Sequence, residues 1–128
     1  MNNLNDKVKK LLEETKTWIL STCGENPNAV PIFFNALKGN EIILYDVFMK
    51  KTLENIKKND SVALTVFDDS KLQGYQIKGT ARYSTETSFV EDGNAISNKF
   101  NLTTKGALIV QAHEVYVLSP GPDNGKLI

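Results

Sequence analysis

Gly74-Tyr-Gln-Ile-Lys-Gly-Thr-Ala-Arg-Tyr-Ser84 reads as one long strand with Gly79 in its interior. A glycine weakens a strand, and its usual reason for sitting there is a bulge or a sharp coil. That kink is the device by which an antiparallel sheet curls toward a barrel. Upstream, Ser61-Val-Ala-Leu-Thr-Val-Phe67 is β-rich and reaches the long strand through the polar turn Asp68-Asp-Ser-Lys71. Downstream, Ala107-Leu-Ile-Val-Gln-Ala-His-Glu-Val-Tyr-Val-Leu118 reads as a final strand running into the Pro/Gly tail Ser119–Gly125.

The amino-terminal half supplies three more strands. Leu4, Val8, Leu11 and Leu12 recur at helical spacing, so an amphipathic helix is expected to end before Thr17. Thr17–Cys23 then reads as a strand, closed by the turn signal Gly24-Glu-Asn-Pro-Asn28. Ala29–Leu37 is the next strand, and Lys38-Gly-Asn40 turns it into Glu41–Tyr45. Pro31 has no N–H to donate, which assigns its position to an edge, a bulge or a ligand-facing gap. Thr87–Asn98 fits a helix with a weak apolar face of Phe89, Val90, Ala95 and Ile96. Six strands with short turns and only flanking helices predict a mainly β antiparallel barrel, not a doubly wound sheet.

The 128 residues, 41% hydrophobic, suffice for one domain with its own core, and no repeat or linker divides them. Fifteen basic and fifteen acidic side chains cancel, so no global field favours nucleic acid or an anionic membrane. No apolar run reaches the roughly 20 residues of a membrane-spanning helix, and the polar amino terminus does not read as a signal peptide. One cysteine, Cys23, excludes an internal disulfide and suits a reducing cytoplasm; beside a single histidine it argues against a protein-built metal site.

The chemistry concentrates in Glu41-Ile-Ile-Leu-Tyr-Asp-Val-Phe-Met-Lys-Lys-Thr-Leu-Glu-Asn-Ile-Lys-Lys-Asn-Asp60, where a strand stops at Asp46 and a helix opens near Lys50, Lys51 and Thr52. A helix start leaves about four N–H groups unpaired and carries roughly half a positive charge. Lysines there oppose the dipole unless an anion compensates. With a hydroxyl added, the start becomes an anion socket of the kind that holds phosphate. The plain alternative is a solvated helix end with Thr52 as its cap.

The order of these features resembles the FMN-binding split barrel of the pyridoxamine 5′-phosphate oxidase-like superfamily. The resemblance runs from Val8 to Leu118 through Trp-Ile-Leu-Ser-Thr, the Pro31 strand, Tyr-Asp-…-Lys-Lys-Thr-Leu-Glu-Asn-Ile, Val-Ala-Leu-Thr-Val and Tyr-Gln-Ile-Lys-Gly-Thr-Ala. It implies a six-stranded split barrel forming a homodimer, with FMN in the clefts between subunits. By this similarity Lys51 and Thr52 hold the phosphate, supported by the helix start, with Lys50 and backbone amides standing in for the arginine often present in the family. Pro31, Ile32, Phe33 and Phe34 run under the ribityl chain and ring, while Tyr45, Asp46 and Val47 border the isoalloxazine. Gln76 is implied as a polar contact, and the tail from Pro120 to Ile128 as a reach toward the partner's flavin.

Other residues have simpler readings. Strand alternation turns at least one of Phe33 and Phe34 inward, leaving the other for a flavin. Trp18 and Tyr75 read as core or dimer-interface aromatics, Cys23 as a small packed residue, His113 as structural or exposed, and the Gly121–Gly125 tail as flexible by composition. Arg82 is the only arginine. Pyridoxamine phosphate oxidases proper grip two phosphates with several arginines, whose fork lysine does not reproduce. The chain therefore reads as an FMN oxidoreductase or electron carrier, with a small-molecule or protein electron partner, and not as a true pyridoxamine phosphate oxidase. The rivals are an F420-dependent reductase of the same fold, a flavin-binding sensor without catalysis, and a flavin-free β-barrel interaction domain.

Overall fold

A computed structural model describes residues 4–128. Its elements are α1 (Asp6–Glu14), β1 (Trp18–Thr22), β2 (Asn28–Ile32), β3 (Asn35–Lys38), β4 (Glu41–Asp46), α2 (Lys51–Lys58), β5 (Ser61–Asp68), β6 (Gln73–Ser84), α3 (Thr87–Ser97), a 3₁₀ turn at Asn98–Phe100, and β7 (Gly106–Val117). Among the described residues no helix is long and apolar enough to cross a membrane.

All strand pairs are antiparallel, in the order β2-β1-β5-β6-β7-β4-β3. The two edge strands are successive in the chain, with only Phe33 and Phe34 between them. Three residue steps reach about 11 Å at most. The edges of a flat sheet with six gaps would stand about 28 Å apart. The sheet must therefore curl until its edges meet: the fold is an antiparallel split barrel.

It has seven strands where six were expected, because the predicted Ala29–Leu37 strand is two. Asn35 Nδ2 donates to Lys16 O and Ile32 O, both at 2.9 Å, pinning the corner where the chain leaves one edge for the other. Pro31 lies on the β2 edge opposite Ile19, where no outer ladder needs its missing N–H. Gly79 marks the expected bulge. Lys78 faces Glu114 and Gly79 faces Ala112, so His113 is the extra residue on β7. A Cβ at Gly79 would stand 1.9 Å from Gln111 O, which leaves glycine as the residue that fits.

Inside the barrel, Leu20, Ile42, Leu44, Leu64, Val66, Ile77 and Leu108 join Val8, Leu11 and Leu12 of α1 and Trp18 in one core. Each such fully buried side chain contributes about 1.5–3 kcal/mol. Trp18 Nε1 donates to Thr15 O at 2.8 Å, so the indole is buried without an orphan donor. A second cluster, Ile43, Tyr45, Ala107 and Ile109, lies on the outer face of β4 and β7, where Phe89 and Ile96 of α3 pack against it. Strand β4 is thus covered on both faces, which explains its unbroken apolar run.

The Pro/Gly tail is ordered rather than loose. Val117 N–H donates to Lys126 O, Gly125 N–H to Val117 O and Ile128 N–H to Val115 O, folding the tail back along β7. The backbone bonds outweigh the turn-rich composition.

Candidate functional site

A cavity of about 300 Å³ opens where β2 passes into β3, against the end of β4 and the start of α2. Pro31, Ile32, Phe33, Phe34, Tyr45, Val47 and Thr52 line it, seven of the residues singled out from sequence. Val30, Phe48 and Met49 complete the lining and were not among them. Their roles depend on the barrel corner and the turn after β4, which no local pattern announces.

Phe33 and Phe34 both reach the cavity, contrary to the expectation that one would be lost to the core. They lie between β2 and β3, so strand alternation does not govern them. With Phe100 they form an edge-to-face trio, ring centroids 5.4–5.7 Å apart. Phe33 and Phe48 remain 44% and 71% exposed at the rim. The walls are aromatic and aliphatic, and burial pushes the Tyr45 phenol up.

The polar end is the start of α2. Lys50 occupies the cap position without a side-chain cap bond. The first bond of the helix runs from Glu54 N–H to Lys50 O at 3.2 Å. The N–H groups of Lys51, Thr52 and Leu53 therefore precede the ladder and have no backbone acceptor among the described residues. Thr52 is not the cap that the plain reading made it: it is buried, 2% exposed, and turned into the cavity. Lys50 and Lys51 are exposed and stand outside the lining.

Asp46 lies beneath the wall instead of in it. Its Oδ1 accepts from Met49 N–H at 2.9 Å and its Oδ2 from Tyr83 Oη at 2.6 Å, fixing the turn that presents Val47, Phe48 and Met49. Burial, then this bond, holds the Tyr83 phenol well above its ordinary value. Gln76 is elsewhere: it pairs with Thr65 and Tyr116, on the face of β6 opposite to the buried Ile77.

A buried polar network ties the helix start to the barrel. Thr22 Oγ1 accepts from Asn55 Nδ2 at 3.0 Å and Asn28 Nδ2 at 3.3 Å, and Asn28 Nδ2 also lies 3.5 Å from Thr52 Oγ1. In the sequence Asn28 reads only as a turn residue. Cys23 is exposed, not packed. It shares a separate outer hollow of about 450 Å³ with His113, whose Nε2 is 3.1 Å from Thr80 Oγ1. Arg82 lines a further hollow with Asp60 and Gln111, away from the α2 start.

The pyridoxamine 5′-phosphate oxidase profile matches residues 4–119, nearly the whole chain. The chain belongs to that family. An uncharacterized protein of Methanocaldococcus jannaschii is 36% identical to this family member over 132 residues, which cover 98% of this chain and 87% of that protein. Among solved structures, HupZ of Group A Streptococcus superposes with a TM-score of 0.79 at 22% identity, over 95% of this chain and 99% of that one. An FMN-binding protein from Syntrophomonas wolfei gives 0.71 at 17% identity, over 91% of each chain. At such identities the structural likeness is one of fold.

Proposed function

We propose that this chain is an FMN-binding flavoprotein, an oxidoreductase or electron carrier that works as a cytoplasmic homodimer with the cofactor between subunits. The observation that carries the reading is the joining of an aromatic-walled cavity to an uncapped helix start with a buried hydroxyl. A flavin mononucleotide has these two chemistries, an apolar ring system and a terminal phosphate. Thr52 and the first N–H groups of α2 would hold the phosphate, with Lys50 and Lys51 adding charge at the rim. Phe33, Phe34 and Tyr45 would exclude water from the ring. Bound flavin supplies the redox chemistry, while the protein orients it and sets its surroundings.

The cavity sits at the low end of ligand-pocket volumes, about 300–1,000 Å³. That size, with the exposed Phe33 and Phe48 beside it, favours completion by a second subunit. The lone arginine points away from pyridoxamine phosphate as substrate, since no guanidinium joins the cavity lining. Fluorescence titration with FMN and with F420 separates the two cofactors that share a phosphate-bearing ribityl arm. Tight binding of FMN and weak binding of F420 is expected; the reverse order would overturn the assignment.

A further inference from the structure

We infer that Asn28 is a positioning residue for the phosphate end of the flavin, acting through the Thr52 hydroxyl; the inference rests on the FMN reading above. Asn28 opens β2, and its side-chain amide lies between two hydroxyl oxygens, Thr22 Oγ1 at 3.3 Å and Thr52 Oγ1 at 3.5 Å. Both contacts spend amide hydrogens. A hydroxyl has one proton to give and two lone pairs to offer. The Thr52 oxygen therefore accepts, and its own proton makes no hydrogen bond to any other described residue. Leaving a buried O–H undonated costs free energy unless something in the cavity takes it. A phosphate oxygen is the acceptor that the adjoining N–H groups of α2 also suit.

The amide is held in place by the fold, not by the ligand. Thr22 and Asn55 are both nine-tenths or more buried, and Asn55 Nδ2 donates to Thr22 Oγ1 at 3.0 Å. The network so formed spans β1, β2 and α2. It is tightly fitted: a Cβ at Gly24 would stand 2.5 Å from Asn55 Oδ1. The plainer role, fastening α2 to the barrel, predicts lost stability with no preference between ligands. A positioning role predicts a selective loss for the ligand that carries the phosphate.

The test measures dissociation constants for FMN and for riboflavin, which lacks the phosphate, on the flavin-free protein and its variants. Asn28→Ala is expected to weaken FMN about fivefold and leave riboflavin unchanged. Asn28→Asp, nearly the same size, is expected to weaken FMN further, because its carboxylate takes the Thr52 proton and repels phosphate. In Thr52→Val, adding Asn28→Ala is expected to cost FMN nothing more, since Asn28 acts through that hydroxyl. The FMN-to-riboflavin ratio is read within each variant, so a general loss of stability cancels. A wild-type ratio in both Asn28 variants, or additive losses in the double variant, would overturn the role of Asn28 alone. Wild-type protein that binds FMN no better than riboflavin would overturn the phosphate socket itself.

Discussion

Lys51 stands exposed at the mouth of the α2 start, where its charge would reach the phosphate of the proposed cofactor through solvent. An exposed ion pair of this kind is worth under about 1 kcal/mol, so Lys51→Ala should weaken FMN about threefold. The loss should shrink as salt rises, which titrations at two ionic strengths will show; a salt-independent loss would place the ammonium elsewhere. The lysine pair draws the eye in the sequence because it opposes the helix dipole, but the structure sets both side chains outside the cavity lining. Asn28 was not legible, because its neighbours Thr22 and Thr52 come together only in the folded barrel. Tyr83 offers a separate reading through pH. Its phenol, partly desolvated where it bonds to Asp46, keeps its proton above the ordinary value near 10. The unfolded chain releases that proton first as pH rises, so this contribution is complete below pH 10 and falls above it. Tyr83→Phe should therefore flatten the alkaline limb of the stability curve, measured by denaturant unfolding from pH 8 to 11. An unchanged limb would mean that the Asp46 bond is not held in solution.

Strand β6 carries the curvature of the sheet at Gly79. An alanine there must move a backbone carbonyl now 1.9 Å from the added carbon, and overpacking of this severity costs about 3 kcal/mol or more. Thermal unfolding of Gly79→Ala should show a large drop in midpoint; a wild-type midpoint would mean that the bulge relaxes freely. This glycine was readable because strand interiors rarely keep one without a reason. The β2–β3 corner was hidden: Ala29–Leu37 has the composition of one strand, and only the pairing of its halves with β1 and β4 divides it. The same corner exempts Phe33 and Phe34 from alternation. For Gln76 the alternation rule does apply, and with Ile77 inside it sets the amide on the outer face.

At the scale of the molecule, barrel closure brings the two edge strands and the α2 start to one place, and the site exists only there. Exposed Phe33 and Phe48 beside the cavity lead to the expectation of a dimer, with a sedimentation mass of twice 14.2 kDa. Replacing Phe48 with Asp should shift that equilibrium toward the monomer and weaken FMN together with it. A monomeric wild-type protein that binds FMN fully would place the whole site within one subunit. The fold class was legible from the order of strands and turns; the dimer is an expectation from the family resemblance, since a single chain does not display its partner. The most direct measurement is the absorption spectrum of gently purified protein, taken before and after incubation with FMN and removal of the excess. A flavin spectrum retained at one FMN per chain is predicted; protein that stays colourless after incubation would contradict the account.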